Sequence, residues 1–202
     1  MSQTTWVHRG ARVLVRPLVR TAVTPNQITT LRLVTGIAAA AAFTIGQYAW
    51  DATGGVLFVL SAFLDRADGE LARLAGKISP GGARYDVICD ASCNVMAFAG
   101  IGIGLSHGSL GAAAVVMGVI SAAAVAASIW LADRLEHAGD GITGAAGFDP
   151  DDALFIVGPA AWFGALEALL IAAVIGAPLF LVYALWRYRS QRARTTRDQY
   201  SR

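Results

Sequence analysis

The sequence predicts an all-α integral membrane protein: six transmembrane helices, with an amphipathic helix lying at the membrane interface ahead of them. Three observations carry this expectation. Mean hydropathy is +0.54, with 55% hydrophobic and only 15% charged residues, the balance of a chain whose solvent is largely lipid. Long apolar runs recur, separated by short polar breaks. When six crossings are drawn, all 16 Lys and Arg residues fall on one side. A length of 202 residues suits one domain, 1–202.

The elements follow in order. Residues 3–22 carry Arg9, Arg12, Arg16 and Arg20, which share one side at about 100° per residue, while Val7, Ala11, Leu14 and Leu18 share the other. That pattern predicts a surface helix on anionic lipid, bent near Pro17; a loose basic tail is the alternative. The same stretch lacks the continuous apolar core of a secretory signal. The first span is expected at 27–48, opened by Thr24-Pro25-Asn26. The second lies at 52–76, the third at 82–105 and the fourth at 109–136. The fifth and sixth share the apolar stretch 152–187, divided near Gly164–Glu167. A single long helix there would give five spans. The loop 137–152 is glycine-rich, and its Asp149, Asp151 and Asp152 suit either capping of the next helix or contact with a substrate. The tail 190–202 is basic and expected to be disordered. Gly100-x-x-x-Gly104 permits close helix packing within the chain or in a homodimer.

Charge placement favours six spans and sets their orientation. The connections near 48–51, 105–109 and 163–167 hold no Lys or Arg. Both termini then face the cytoplasm, across the cell (inner) membrane. Cys89 and Cys93 share a helix face and are read as small packing residues rather than a disulfide or metal pair.

The chemistry is concentrated between residues 65 and 90. Asp65, Asp68, Asp86 and Asp90 sit in spans, where a carboxylate is costly unless it pairs, lines a wet cavity or binds an ion. Spacings of three and four put each pair on one helix face. Two such helices facing each other would aim four carboxylates at one place. All-oxygen donors suit Mg²⁺, Mn²⁺ or Ca²⁺ rather than Zn²⁺.

The full pattern, D-x2-D-G-x2-A-R-x8-G-x3-D-x3-D, is filled by Asp65, Asp68, Gly69, Ala72, Arg73, Gly82, Asp86 and Asp90. It resembles the signature of the CDP-alcohol phosphotransferase family, as do the Thr-Pro-Asn helix start and the six-span plan. The resemblance implies an enzyme of phospholipid synthesis that moves the phospho-alcohol part of a CDP-alcohol, usually CDP-diacylglycerol, onto an acceptor hydroxyl, with release of CMP. It implies two divalent cations, Mg²⁺ or Mn²⁺, held by Asp65, Asp68 and Asp86, with Asp90 touching the second ion and serving as general base. It assigns the cytidine nucleotide to Asp65, Asp68, Gly69, Ala72, Arg73 and Gly82. The partners expected are a lipid donor, a small polar alcohol and the bilayer, with no nucleic acid.

The acceptor stays open. Arg32, Arg84 and Arg134 all fall near the cytoplasmic mouth and suit a phosphorylated acceptor such as glycerol 3-phosphate or inositol phosphate. Arginines also collect on that side for topological reasons, and the acidic loop argues for an amino-alcohol instead. His137 can face the site; His8 and His107 have no metal spacing. Arg66 and Glu70 are spaced for a plain i, i+4 ion pair. Two other classes use buried carboxylates: an intramembrane prenyltransferase, which needs more helices than this chain has, and a divalent-cation transporter, which leaves Gly69, Ala72, Arg73 and Gly82 unexplained.

Overall fold

The computed structural model describes residues 6–137 and 154–200, and every described element is helical. Helix α1, Trp6–Val15, runs into a 3-10 turn, Arg16–Arg20, with Pro17 in its first turn. Proline suits that place because its missing N–H has no partner there anyway. Helix α2, Pro25–Phe43, opens on a capping box: Thr24 Oγ1 accepts from the Gln27 amide, and Gln27 Oε1 accepts from the Thr24 amide at 2.9 Å. Helix α3, Tyr48–Leu74, and helix α4, Pro80–Leu105, follow; the Ser79 hydroxyl caps α4 through the Gly82 amide at 3.1 Å. Helix α5 is Ala112–His137, α6 is Val157–Trp162 and α7 is Leu166–Tyr200.

Among the described residues, three helical stretches are long and apolar enough to cross a membrane: Pro80–Leu105, Ala112–Leu135 and Leu166–Ser190. The remaining expected spans have physical reasons to fall short of that standard. Helix α3 carries Asp51, Asp65, Arg66, Asp68, Glu70 and Arg73, and α2 carries Arg32 and four threonine or asparagine side chains in its first three turns. Helix α6 has only six residues. It starts beside Leu154 and Phe155, which line a pocket with Asp90, and ends where Trp162 meets Tyr48.

The break between α6 and α7 falls at Gly164, inside the region where the sequence placed a split. Gly164 has φ +66, the Ala165 amide bonds the Ala160 carbonyl at 2.7 Å, and the Gly164 amide bonds the Ala161 carbonyl. These two bonds close a Schellman motif, which needs a residue free of a Cβ at that φ. The end of the bundle opposite the aspartates is tied by Tyr48 Oη donating to the Trp162 carbonyl at 2.9 Å, Trp162 Nε1 to the Ala52 carbonyl at 3.2 Å, and Ser109 Oγ to Glu167 Oε2 at 3.0 Å. None of the connections gathered there, 44–47, 106–111 and 163–165, carries Lys or Arg.

The main core joins Phe43, Phe58, Phe98, Ile101, Val157 and Leu170. Helix α4 lies close to both neighbours. A Cβ on Gly100 would stand 2.5 Å from the Ala40 carbonyl oxygen, and one on Gly104 only 2.0 Å from that of Phe43. The Gly-x-x-x-Gly pair is thus consumed by α2–α4 packing and gives no support to a dimer. Because backbone rather than a flexible side chain blocks the space, Gly104→Ala should cost about 1–3 kcal/mol of stability. Thermal unfolding in detergent checks this; an unchanged midpoint would contradict the packing.

Helix α1 packs against the bundle: its Ala11 and Val15 are fully buried, Val15 with Ile28, Ala67 and Leu71, while Leu14 of the same apolar side is 63% exposed. One expectation is corrected. The tail from Ser190 is helical rather than disordered, since α7 continues to Tyr200. An existing helix propagates without a nucleation cost, and Gln191, Arg192, Ala193 and Arg194 are good helix formers.

Candidate active site

The four aspartates meet between α2, α3 and α4. Asp65 and Asp68 lie one turn apart on α3, Asp86 and Asp90 one turn apart on α4. One carboxylate oxygen from each of Asp65, Asp68 and Asp86 lies within 4.8 Å of the other two. Asp68 is buried and accepts from Thr29 Oγ1 at 2.6 Å, a hydroxyl that also reaches the Pro25 carbonyl at 3.1 Å. Asp86 is the most open, with 41% of its side chain exposed.

Arg32 occupies the middle of this group. Its Nη1 lies 2.6 Å from Asp65 Oδ1 and 2.7 Å from Asp86 Oδ1, and its Nη2 donates to Asp90 Oδ1. Asn94, one turn beyond Asp90, donates from Nδ2 to the Asp90 carbonyl and to Asp90 Oδ1, both at 3.0 Å. Arg66 donates to Asp65 Oδ2. Helix α2 can bring Arg32 so close because Gly36 follows one turn later: a Cβ there would stand 2.4 Å from Cys93 Sγ and 3.1 Å from Ser61 Oγ. Both cysteines are free and buried, as packing residues should be.

Two arginines against four carboxylates leave a net charge of −2 when all are ionised. Hard oxygen donors, excess negative charge and one partly open member suit a divalent cation. The residues present fit the metal that the sequence motif implies. Beside the cluster lies a pocket of about 20 Å³ lined by Asp65, Asp90, Asn94, Phe58, Leu154 and Phe155, room for about one water molecule.

Gly69, Ala72, Arg73 and Gly82, which the motif assigns to a nucleotide, lie towards the adjoining ends of α3 and α4. Gly69 leaves the helix surface open, with the Arg73 guanidinium 3.5 Å from where a Cβ would stand. Ala72 is half-buried, and the Gly82 Cβ position faces Ser79 Oγ and Asn26 Oδ1. Arg73, half-exposed, donates to Glu70 Oε1 at 2.8 Å, and Arg12 of α1 donates to Glu70 Oε2 at 3.0 Å. Glu70 is itself only 2% exposed. Of the arginines assigned to an acceptor, Arg84 is exposed on α4, and Arg134 is exposed on α5, stacked 4.6 Å over the Trp130 ring. The third, Arg32, faces carboxylates. The loop residues Asp149, Asp151 and Asp152 lie outside the described residues, as does the His137 side chain.

Thr29, Arg66 and Asn94 escaped the sequence reading as site residues. Asn94 had a usable signal, since it follows Asp90 by four residues on the same helix face. Thr29 had none, because its partner Asp68 lies 39 residues away.

A bundle of apolar helices that gathers hard carboxylates around a partly open centre suits divalent-metal chemistry inside a membrane. The chain belongs to the CDP-alcohol phosphatidyltransferase family, whose model matches residues 22–187. It is accordingly an integral membrane enzyme of phospholipid synthesis, a transferase of phosphate-containing groups. Its fold is similar to that of Mycobacterium tuberculosis phosphatidylinositol phosphate synthase (PgsA1). The CDP-DAG-bound structure of that protein has 23% sequence identity and a TM-score of 0.63, over 88% of this chain and 94% of that one. Its complex with manganese and citrate has 22% identity and a TM-score of 0.63, over 87% and 88%. A comparison with curated proteins finds no match.

Proposed function

We propose that this enzyme transfers the phosphatidyl group of CDP-diacylglycerol to the hydroxyl of a small phosphorylated alcohol, such as glycerol 3-phosphate or inositol phosphate, and releases CMP. The observation that carries this reading is the meeting of Asp65, Asp68 and Asp86 within 4.8 Å, with Asp90 one turn along α4. The CDP-DAG-bound and manganese-bound structures of the similar synthase support the donor and the metal.

Asp65, Asp68 and Asp86, together with Asp90, would hold two divalent cations, Mg²⁺ or Mn²⁺. Such ions neutralise a pyrophosphate and polarise its phosphorus. The chain's own residues supply orientation and proton transfer. Gly69, Ala72 and Gly82 leave room for the cytidine nucleotide, with Asp65, Asp68 and Arg73 at its edges. Asp90 takes the proton of the acceptor hydroxyl as that oxygen bonds to phosphorus and the bond to CMP breaks. Arg32 and Asn94 fix the Asp90 carboxylate for this. Since Arg32 is engaged by three carboxylates, recognition of the acceptor phosphate falls to Arg84 and Arg134.

The decisive experiment supplies purified enzyme with labelled CDP-diacylglycerol and a panel of acceptors. CMP release that depends on a phosphorylated acceptor is expected. Release with an amino-alcohol alone would move the acceptor assignment, and no CMP with any acceptor would end the reading.

Orientation belongs to the same proposal. Six crossings put 65–90 and both termini in the cytoplasm, because the connections at the far end of the bundle hold no Lys or Arg. Single cysteines at Gln3, Gly108 and Gln199, in a background without Cys89 and Cys93, report on this. On whole cells an impermeant thiol reagent should label only the cysteine at position 108. Labelling at 199 but not at 3 would mean an odd number of crossings.

A further inference from the structure

Arg32 is the only charged residue of α2, and it is 2% exposed. It nevertheless touches three carboxylates carried by two other helices. The planar fork explains how one side chain manages this: Nη1 serves Asp65 and Asp86 together while Nη2 serves Asp90. Its backbone is fixed as well, since Ser61 Oγ donates to the Arg32 carbonyl at 3.0 Å. A charge buried this deeply among helices is kept there by what it neutralises.

The distances raise a conflict. Nη1 stands between Asp65 Oδ1 and Asp86 Oδ1, at 2.6 and 2.7 Å. Those residues are two of the three that come within 4.8 Å of one another as candidate ligands. A cation shared by Asp65 and Asp86 would draw on the same two carboxylates that Nη1 engages.

Resting on the divalent-cation reading above, we propose that Arg32 is a positioning residue that sets the site's affinity for metal: it is the counter-cation of the metal-free site, and it competes with the divalent ion for Asp65 and Asp86. Two effects of opposite sign follow from its removal. The metal-free protein loses the charge that holds Asp65, Asp86 and Asp90 together, so like-charge repulsion loosens α2, α3 and α4. The same loss makes the cluster more negative, so a divalent ion binds it more tightly. A side chain that merely shaped the carboxylates for the metal would do the reverse, and its loss would weaken binding.

Mn²⁺ titration of the purified full-length protein in detergent, read by the electron paramagnetic resonance signal of the free ion, measures affinity directly. Thermal unfolding with EDTA and with saturating Mn²⁺ measures stability. Arg32→Gln is expected to bind Mn²⁺ at least about tenfold more tightly than the wild type. It should also unfold at a lower temperature in EDTA, with the deficit shrinking when Mn²⁺ is saturating. Unchanged or weaker binding, or an equal deficit in both conditions, overturns the proposal. Should Arg32→Gln fail to fold, Arg32→Lys decides: its single ammonium cannot span all three carboxylates, so tighter binding than wild type is expected and wild-type or weaker binding overturns it. Wild-type protein that binds no Mn²⁺ would instead defeat the metal reading beneath it.

Discussion

Asp90→Asn should lower turnover by about 10²–10⁴-fold while leaving donor and metal binding largely intact. Asparagine keeps a side-chain oxygen where Asp90 Oδ1 now accepts from Arg32 and Asn94, so the local architecture survives. What disappears is the basicity needed when the acceptor hydroxyl gives up its proton. A group that acts only in the chemical step depresses kcat and kcat/KM together without raising KM. Asp65, Asp68 and Asp86, the residues whose oxygens approach one another within 4.8 Å, remain untouched in this variant. Asp86→Asn is the contrast: it removes a ligand and should weaken Mn²⁺ binding itself. Steady-state CMP release, paired with Mn²⁺ titration of both variants, separates the two roles. Near-normal turnover in Asp90→Asn would remove Asp90 from the chemistry.

Exhaustive chelation should abolish activity, and Mg²⁺ or Mn²⁺ should restore it. With its four carboxylates ionised the site has a net charge of −2 after Arg32 and Arg66 are counted, and the proposed donor brings a pyrophosphate of the same sign. Without further cations these repel one another inside a low-dielectric bundle. Arg32 offers no escape, since its charge is already shared among three carboxylates. Activity measured before and after EDTA, then after each metal is returned, tests this. Turnover that survives chelation would sink the metal-dependent reading.

How legible the molecule was in its sequence depended on how local each signal was. Helix starts were readable where a capping residue marks them: Thr24 does so for α2, which begins within two residues of expectation. Helix α2 ends at Phe43, well short of the expected 48, because α2 and α4 converge so closely at Gly46 and Gly104 that the chain must turn there. That convergence is a tertiary fact with no local mark. The four aspartates were readable because helical periodicity alone aligns each pair. Arg32 was read from the chain as one of the arginines near the cytoplasmic mouth that suit a phosphorylated acceptor, and its three carboxylate partners were not legible because they lie 33 to 58 residues away. Likewise, spacing along the chain paired Glu70 with Arg66 and gave no sign of Arg12, which donates to Glu70 from 58 residues away. Arg12 belongs to a helix expected to face lipid headgroups.

The small pocket beside Asp90 bears on fidelity. Any enzyme that activates an alcohol oxygen for attack on phosphorus is exposed to water, a smaller nucleophile of the same kind. A base that is indifferent to the two would destroy donor lipid wherever acceptor is scarce. Here the space next to Asp90 is about 20 Å³, walled on one side by Phe58, Leu154 and Phe155, enough for about one water. In the reaction proposed above, so tight a space would limit the waters that compete with the acceptor hydroxyl at Asp90, and shape would join acceptor recognition in favouring transfer. Enlarging it by Phe58→Ala should raise CMP formation in the absence of any acceptor.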